Sequence, residues 1–208
     1  MAMIDHLVIT APSLAAGTEM ACEALGIRPQ RGGVHVRMGT HNALLRLGEQ
    51  LYLEIISVDP AASKPNRPRW FCLDELTPQS PPRLATWVAR TDDIYTDLAA
   101  CGGIHGEVAT MSRGDLHWSI TIPADGAMPF DGIAPTLIRW HTKDHPAGTL
   151  EDCGCRLARL RGFHPDSVGL QKLLGALHLE SALSIQYHQH PHLIAEIETP
   201  NGLRMIGG

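Results

Sequence analysis

Ile4-Asp5-His6-Leu7-Val8-Ile9-Thr10 is the stretch on which the reading of this chain turns. It alternates as a strand does, with His6, Val8 and Thr10 on one side and Leu7 and Ile9 on the other. Ala11-Pro12-Ser13 leads into a helical run from Leu14 to Leu25, with Ser13 as its cap and Gly26 as its stop. Three strand candidates follow, around Val34 to Met38, Ala43 to Leu47 and Leu51 to Val58, with turns at Gly39 and Gly48-Glu49. Residues 1–58 therefore predict the order strand, helix, strand, strand, strand.

This opening recurs. Leu84 to Arg90 reads as a strand, Asp92 and Asp93 carry helix-start chemistry, Ile94 to Cys101 is a helix, and Gly102-Gly103 ends it. A shift of 80 residues sets Ile94 on Leu14 and Thr86 on His6. Strand candidates at Gly106 to Ser112, His117 to Ile122 and Thr136 to Trp140 complete a second unit over residues 83–142. A shorter third pass occupies residues 155–208, with Arg156 to Phe163 as strand and Asp166 to Leu177 as helix. Short strands at Leu183 to His188, Leu193 to Glu198 and Leu203 to Ile206 end it. Residues 59–82 hold six of the 15 prolines and read as a connector, with Trp70 and Phe71 either closing over a pocket or packing beneath a loop. Repeats on this scale constrain architecture more than any local propensity. The expectation is an α+β fold in one compact body. Its first two βαβββ modules form a curled, mostly antiparallel, cup-shaped sheet with helices outside, and a third βαβββ-like unit packs on the exterior or at a subunit interface.

Composition narrows the function classes. With 44% hydrophobic and 19% charged residues the chain reads as globular, and no apolar run is long enough to span a bilayer. The first residues lack a signal-peptide pattern, so a cytoplasmic location is expected. A net charge of -5 without a basic cluster argues against nucleic acid as a partner. Of five cysteines only Cys153 and Cys155 are close, which gives neither a disulfide framework nor a zinc motif. The alternating His188, His190 and His192 are interrupted by Pro191 and read as a hairpin turn rather than a metal-binding strand face.

The runs Ile4-Asp-His-Leu-Val-Ile-Thr-Ala-Pro-Ser-Leu, Met38-Gly-Thr-His-Asn-Ala-Leu-Leu-Arg-Leu-Gly and Tyr52-Leu-Glu-Ile-Ile resemble the glyoxalase-like domain family of the vicinal oxygen chelate superfamily. The resemblance extends through Thr86 to Arg90, Met111-Ser-Arg-Gly and Ile138-Arg-Trp. It implies paired βαβββ modules around a cup that holds a metal or a small ligand, with ligand positions matching His6, Glu54, Thr86 and Arg139. His6 and Glu54 suit one divalent ion such as Zn, Ni, Mn or Fe, whereas Thr86 is a poor donor and Arg139 none.

Glu54, an acid among apolar neighbours on a central strand, needs a partner. Three answers stand: a metal shared with His6, an ion pair with Arg139, or proton handling by Glu54 and His6 while Arg139 binds a carboxylate or enolate oxygen. Of His41 and Asn42, which alternate onto opposite faces, one can face the cup. His41, Tyr52, Thr86 and Arg139 are expected among the substrate contacts. The function expected is binding of a small oxygen-bearing metabolite, with lyase, isomerase or dioxygenase chemistry, with or without a metal. The rival is a metal-free protein that sequesters a small molecule. Long sheet edges need cover, so a homodimer is expected.

Overall fold

A computed structural model describes residues 2–208. Its larger sheet has eight strands: β1 (Met3–Thr10), β2 (Gln30–His35), β3 (Thr40–Gly48), β4 (Leu51–Val58), β5 (Arg83–Arg90), β6 (Glu107–Arg113), β7 (Leu116–Ile122) and β8 (Thr136–Trp140). They run in the order β2-β3-β4-β1-β5-β8-β7-β6. Only β1 with β4 and β5 with β8 are parallel; every other pairing is antiparallel. The two halves meet at β1 and β5, where His6 pairs with Val88 and Val8 with Thr86. That register is the one a twofold relation with the 80-residue shift requires. The curled α+β cup expected from the repeat is the observed fold.

Helix α1 (Leu14–Leu25) has Ser13 as its N-cap, accepting from Ala16 N, and ends at Gly26 in the left-handed region. One side of the cup sheet carries Leu7, Ile9, Leu45, Leu53, Ile55 and Trp87, all fully buried. They pack with Ala21 and Leu25 of α1 into the main core. Burying each large side chain contributes about 1.5–3 kcal/mol, so this face holds the fold together. The helix α2 (Ile94–Ala100) adds Ile94 to the same core.

The third stretch forms a separate four-stranded sheet from β9 (Arg156–His164), β10 (Ser184–Tyr187), β11 (His192–Thr199) and β12 (Gly202–Gly207), in the order β10-β9-β11-β12. With helix α4 (Ser167–Ala176) it brings Leu160, Leu170, Leu174, Ala195 and Ile197 against the outer face of the cup. Strands β10 and β11 flank β9 instead of pairing with one another. The His188 to His192 segment is therefore a link across the end of β9, not the hairpin turn read from Pro191. The expected strand at Val34 to Met38 likewise lies earlier, at Gln30–His35. Met38 N and Gly39 N both bond to His35 O, which turns residues 36–39 into the hairpin connection.

The concave side of the sheet has its own apolar cluster, in which Val8, Ile56, Val88, Ile120 and Ile138 meet Trp70, Phe71 and Leu73 of the proline-rich connector. The connector is pinned at Gly126, whose O accepts from Cys72 N at 3.0 Å. A Cβ there would lie 2.1 Å from Arg69 O, and the backbone has φ +76. Gly126→Ala is therefore expected to lower stability by about 1–3 kcal/mol and to shift Trp70 and Phe71 off the cup. Urea midpoints and tryptophan emission check both effects; an unchanged midpoint refutes the pinning role.

Candidate functional site

The concave face closes on a small cavity with about 30 Å³ of free space, enough for an ordered water or the compact end of a ligand. Its polar lining is His6, His35, Asn42, Glu54 and Arg113, and its walls include Tyr52, Trp70, Phe71, Trp118 and Trp140. Strand alternation explains most of this. Tyr52 and Glu54 of β4 share the cup face with Ile56, while Leu53 and Ile55 point into the main core.

Asp5 is the group that strict alternation misses. The β1–β5 register slips between Ile4 and His6, a bulge that brings both Asp5 and His6 to the same side chains. The fully buried Asp5 carboxylate accepts from His6 Nδ1 at 2.7 Å, Trp140 Nε1 at 2.9 Å and His145 Nε2 at 3.0 Å. Burial by itself would raise its pKa. The hydrogen bonds from His145 and His6, with their charge attraction, outweigh that and hold the carboxyl well below the usual carboxylate range. His145 belongs to the segment that enters α3 (Pro146–Thr149), where Ala147 packs on Leu44 and Tyr52. Asp5 thus ties the first strand to the segment that roofs the cup.

With Nδ1 donating to Asp5, His6 turns Nε2 toward Glu54 Oε2, 3.6 Å away. That is beyond direct hydrogen bonding, and it leaves two proton-handling atoms facing one gap. The imidazole is stacked on Tyr52, with centroids 4.6 Å apart. Tyr52 stays a neutral phenol, since burial and then the nearby Asp5 and Glu54 raise its pKa well above the ordinary value.

Glu54 Oε1 accepts from Asn42 Nδ2 at 2.5 Å. Asn42 Oδ1 in turn accepts from Gly33 N at 2.7 Å and Arg113 Nη1 at 3.3 Å. The same Arg113 Nη1 lies 3.3 Å from His35 Nε2, while His35 Nδ1 is 3.1 Å from Thr40 Oγ1. A neutral His35 satisfies both contacts by donating from Nδ1 and accepting at Nε2. Burial lowers its pKa to about 4, against the upward pull of Glu54 and with the help of Arg113.

His6, Glu54 and Tyr52 come together as the sequence suggested. Three other expected contacts differ. Val8 pairs with Glu54 and Val88 with Thr136, so the second-module counterpart of Glu54 is Thr136. Arg139 alternates to the opposite, exposed side of β8, and the cationic role falls to Arg113 from β6. His41 alternates away from the lining and Asn42 takes its place. Thr86 is fully buried on the cup face but outside the cavity lining. Trp70 Nε1 is a further buried donor without an acceptor in the protein, a group that a ligand oxygen would satisfy.

A divalent ion does not fit this donor set. His6 and Glu54 are two donors, their second-module counterparts Thr86 and Thr136 bear neutral hydroxyls, and the always-charged Arg113 guanidinium lines the same cavity. Among the described residues no three His, Cys, Asp or Glu side chains gather in a way that could hold a metal.

The model of a glyoxalase-like domain family matches residues 4–178. No curated protein matches the chain. A hypothetical protein from Staphylococcus aureus is similar in structure at 12% identity and a TM-score of 0.56, with 100% of this chain and 85% of that one covered. A methylmalonyl-CoA epimerase variant from Streptomyces coelicolor in complex with 2-nitronate-propionyl-CoA aligns at 18% identity and a TM-score of 0.44, covering 69% of this chain and 98% of its own. The methylmalonyl-CoA epimerase from Mycobacterium tuberculosis aligns at 15% identity and 0.40, covering 66% and 86%.

Three buried groups, His35, His105 and Asp5, have their pKa lowered by the fold, and each makes stability fall as pH drops. His35 and the fully buried His105, which burial also lowers to about 4, stay neutral while the unfolded chain takes up protons below about pH 6.5. Stability therefore falls as pH drops from about 6.5 to 4, by roughly 3 kcal/mol for each histidine. His35→Gln should flatten about half of that slope in urea midpoints measured across this window; an unchanged slope counts against a neutral buried His35. Asp5 contributes stability that is present above about pH 4 and lost below it, since its folded pKa is depressed. Asp5→Asn at pH 7 is expected to cost about 3–5 kcal/mol, because it strips the buried anion from two histidines.

Proposed function

The chain belongs to the glyoxalase-like domain family, and from that premise we propose that it binds a small oxygen-bearing metabolite in the cup and moves a proton on it by metal-independent general acid–base chemistry. The observation that carries this reading is the pair His6 Nε2 and Glu54 Oε2, 3.6 Å apart across the cavity, each held from behind by a buried partner. Asp5 fixes the ring of His6; Asn42 fixes the carboxylate of Glu54.

The chemistry follows from those supports. A substrate carbonyl with an acidic C–H placed beside the pair loses that proton to Glu54, and the electron pair passes to the carbonyl oxygen as an enolate. The guanidinium of Arg113 stabilises the oxyanion, the role first expected of Arg139. Glu54 returns the proton to a different atom of the enolate, or His6 Nε2 delivers one to the enolate and the proton on Glu54 passes to His6 across the 3.6 Å between them. Each route gives an isomerase-type outcome that leaves both residues as they began. The aromatic walls exclude water and strengthen each of these interactions. The apolar closure also weighs against sequestration of a large compound, for which the free space of about 30 Å³ is small.

A cytoplasmic location and a homodimer belong to the same proposal. Exposed Leu203 and Met205, side by side on the outer face of the small sheet, are apolar side chains that a second copy would cover. For the membrane the finding is narrower: no described helix is long and apolar enough to cross one.

Proton exchange into D2O, followed by proton NMR over short oxo acids, their esters and simple ketones, tests the chemistry. Chelator-treated parent protein is expected to accelerate exchange on at least one of them, and Glu54→Gln to lose about 10²-fold or more while still binding it. Ligand binding with no exchange in the parent would leave sequestration as the function. Exchange that survives Glu54→Gln would remove Glu54 as the base.

A further inference from the structure

Arg113 carries more hydrogen-bonding capacity than the proton-transfer reading uses. Its Nη1 is committed to His35 and Asn42, but among the described residues Nε and Nη2 have no acceptor and Arg113 forms no ion pair. These two nitrogens are one edge of the guanidinium fork, whose spacing matches the two oxygens of a carboxylate. The side chain is also held in place. Its Cδ passes so close to Gly33 that a Cβ at that position would lie 2.7 Å away.

Arg113 lines two spaces at once. On one side is the inner cavity with His6 and Glu54; on the other is an open cleft of about 220 Å³ whose walls include Arg31, Leu44, Leu116, Pro146 and Leu150. No carboxylate lines this cleft, and the exposed Arg31 forms no ion pair among the described residues. Arg31 and Arg113 are the two charged groups of its lining, both positive. The amide of Asn42 joins Arg113 to Glu54 through Nη1. The Nε–Nη2 edge lies on the opposite side of the guanidinium, so an anion there sits away from Glu54.

We infer that the ligand carries a carboxylate, bound on the Nε–Nη2 edge of Arg113 in the cleft, with Arg31 adding a second positive charge at the rim. The inference deepens the reading of a small oxygen-bearing ligand and does not depend on which group of the cavity moves a proton.

Acetate is the probe that isolates the carboxylate from the rest of the substrate. In 15N-labelled protein the Arg113 Nε–H resonance, assigned by its loss in Arg113→Lys, is followed during titration with sodium acetate against sodium chloride at equal ionic strength. The expected result is a saturable shift with acetate alone, weakened about tenfold or more in Arg113→Lys and about threefold in Arg31→Ala. Arg31 is exposed, so its replacement separates lost recognition from lost folding. Glu54→Gln should bind acetate at least as well as the parent, since a negative charge of the adjoining cavity is removed. No saturable acetate shift in the parent, or equal affinity in Arg113→Lys, overturns the carboxylate subsite. If Glu54-dependent exchange of neutral ketones persists in that case, the proton-transfer reading stands without it; acetate binding with no exchange on any oxo compound keeps the subsite and removes the chemistry.

Discussion

A carboxylate with no exposure to water, Asp5, sets the terms for the rest of this structure. Removing such a charge from water costs several kcal/mol unless its lone pairs are occupied, and three donors from three parts of the chain occupy them here. His6 comes from the adjoining position of the first strand, Trp140 from the end of the last strand of the cup, and His145 from the segment that roofs it. Because all three must converge for the charge to be tolerated, the cup cannot close in any other arrangement without leaving that anion unpaired. The buried carboxylate is weak evidence for net stability and strong evidence for a single geometry.

From that anchor the polar groups form a sequence with alternating roles. Asp5 orients His6; His6 and Glu54 face one another across the cavity; Asn42 holds Glu54; Arg113 holds Asn42 and meets His35. Each member has a hydrogen-bonded support except at the gap between His6 and Glu54 and along one edge of Arg113. In a low-dielectric pocket walled by tryptophans and Tyr52, an unsupported donor is costly, and Trp70 Nε1 is a buried donor of that kind on the cavity wall. On the apolar side of the sheet, by contrast, the indole of Trp87 donates to Ile133 O at 2.9 Å.

Much of this was legible in the sequence because a period of two and a recurring strand-helix opening are local signals. They placed β1, α1, β3, β4 and β5, and they put His6, Tyr52 and Glu54 on one face. What they missed is set by register, which alternation does not carry. The resemblance matches Arg139 to the ligand position of the second module, yet the pairing of Val88 with Thr136 makes Thr136 the counterpart of Glu54. His41 and Asn42 differ by one residue, and a one-residue step exchanges the faces. Asp5 is hidden by a bulge, which no alternating pattern reports. Arg113 sits on the far edge strand of the opposite half, and reaches the cavity only because the sheet curls until β2 and β6 approach.

The exchange of a metal for a guanidinium is the step that gives these corrections one meaning. A divalent ion at the centre of such a cup requires donors from both halves, and here the second half offers Thr86 and Thr136 where the first offers His6 and Glu54. The proposed reaction needs a cation to hold its oxyanion, and Arg113 would supply one that stays charged across the working pH range. Its position differs from that of a central ion in a way that matters. A metal would draw His6 and Glu54 in as ligands and occupy the lone pairs that accept protons, whereas a guanidinium held at the side by Asn42 and His35 leaves both free. The neutrality of His35, which burial enforces, fits the same logic, since a second positive charge beside Arg113 would repel it from the cavity. In the proposed function, neutral hydroxyls in the second half and a proton-transfer pair in the first are thus compatible with one guanidinium as the cation of the site.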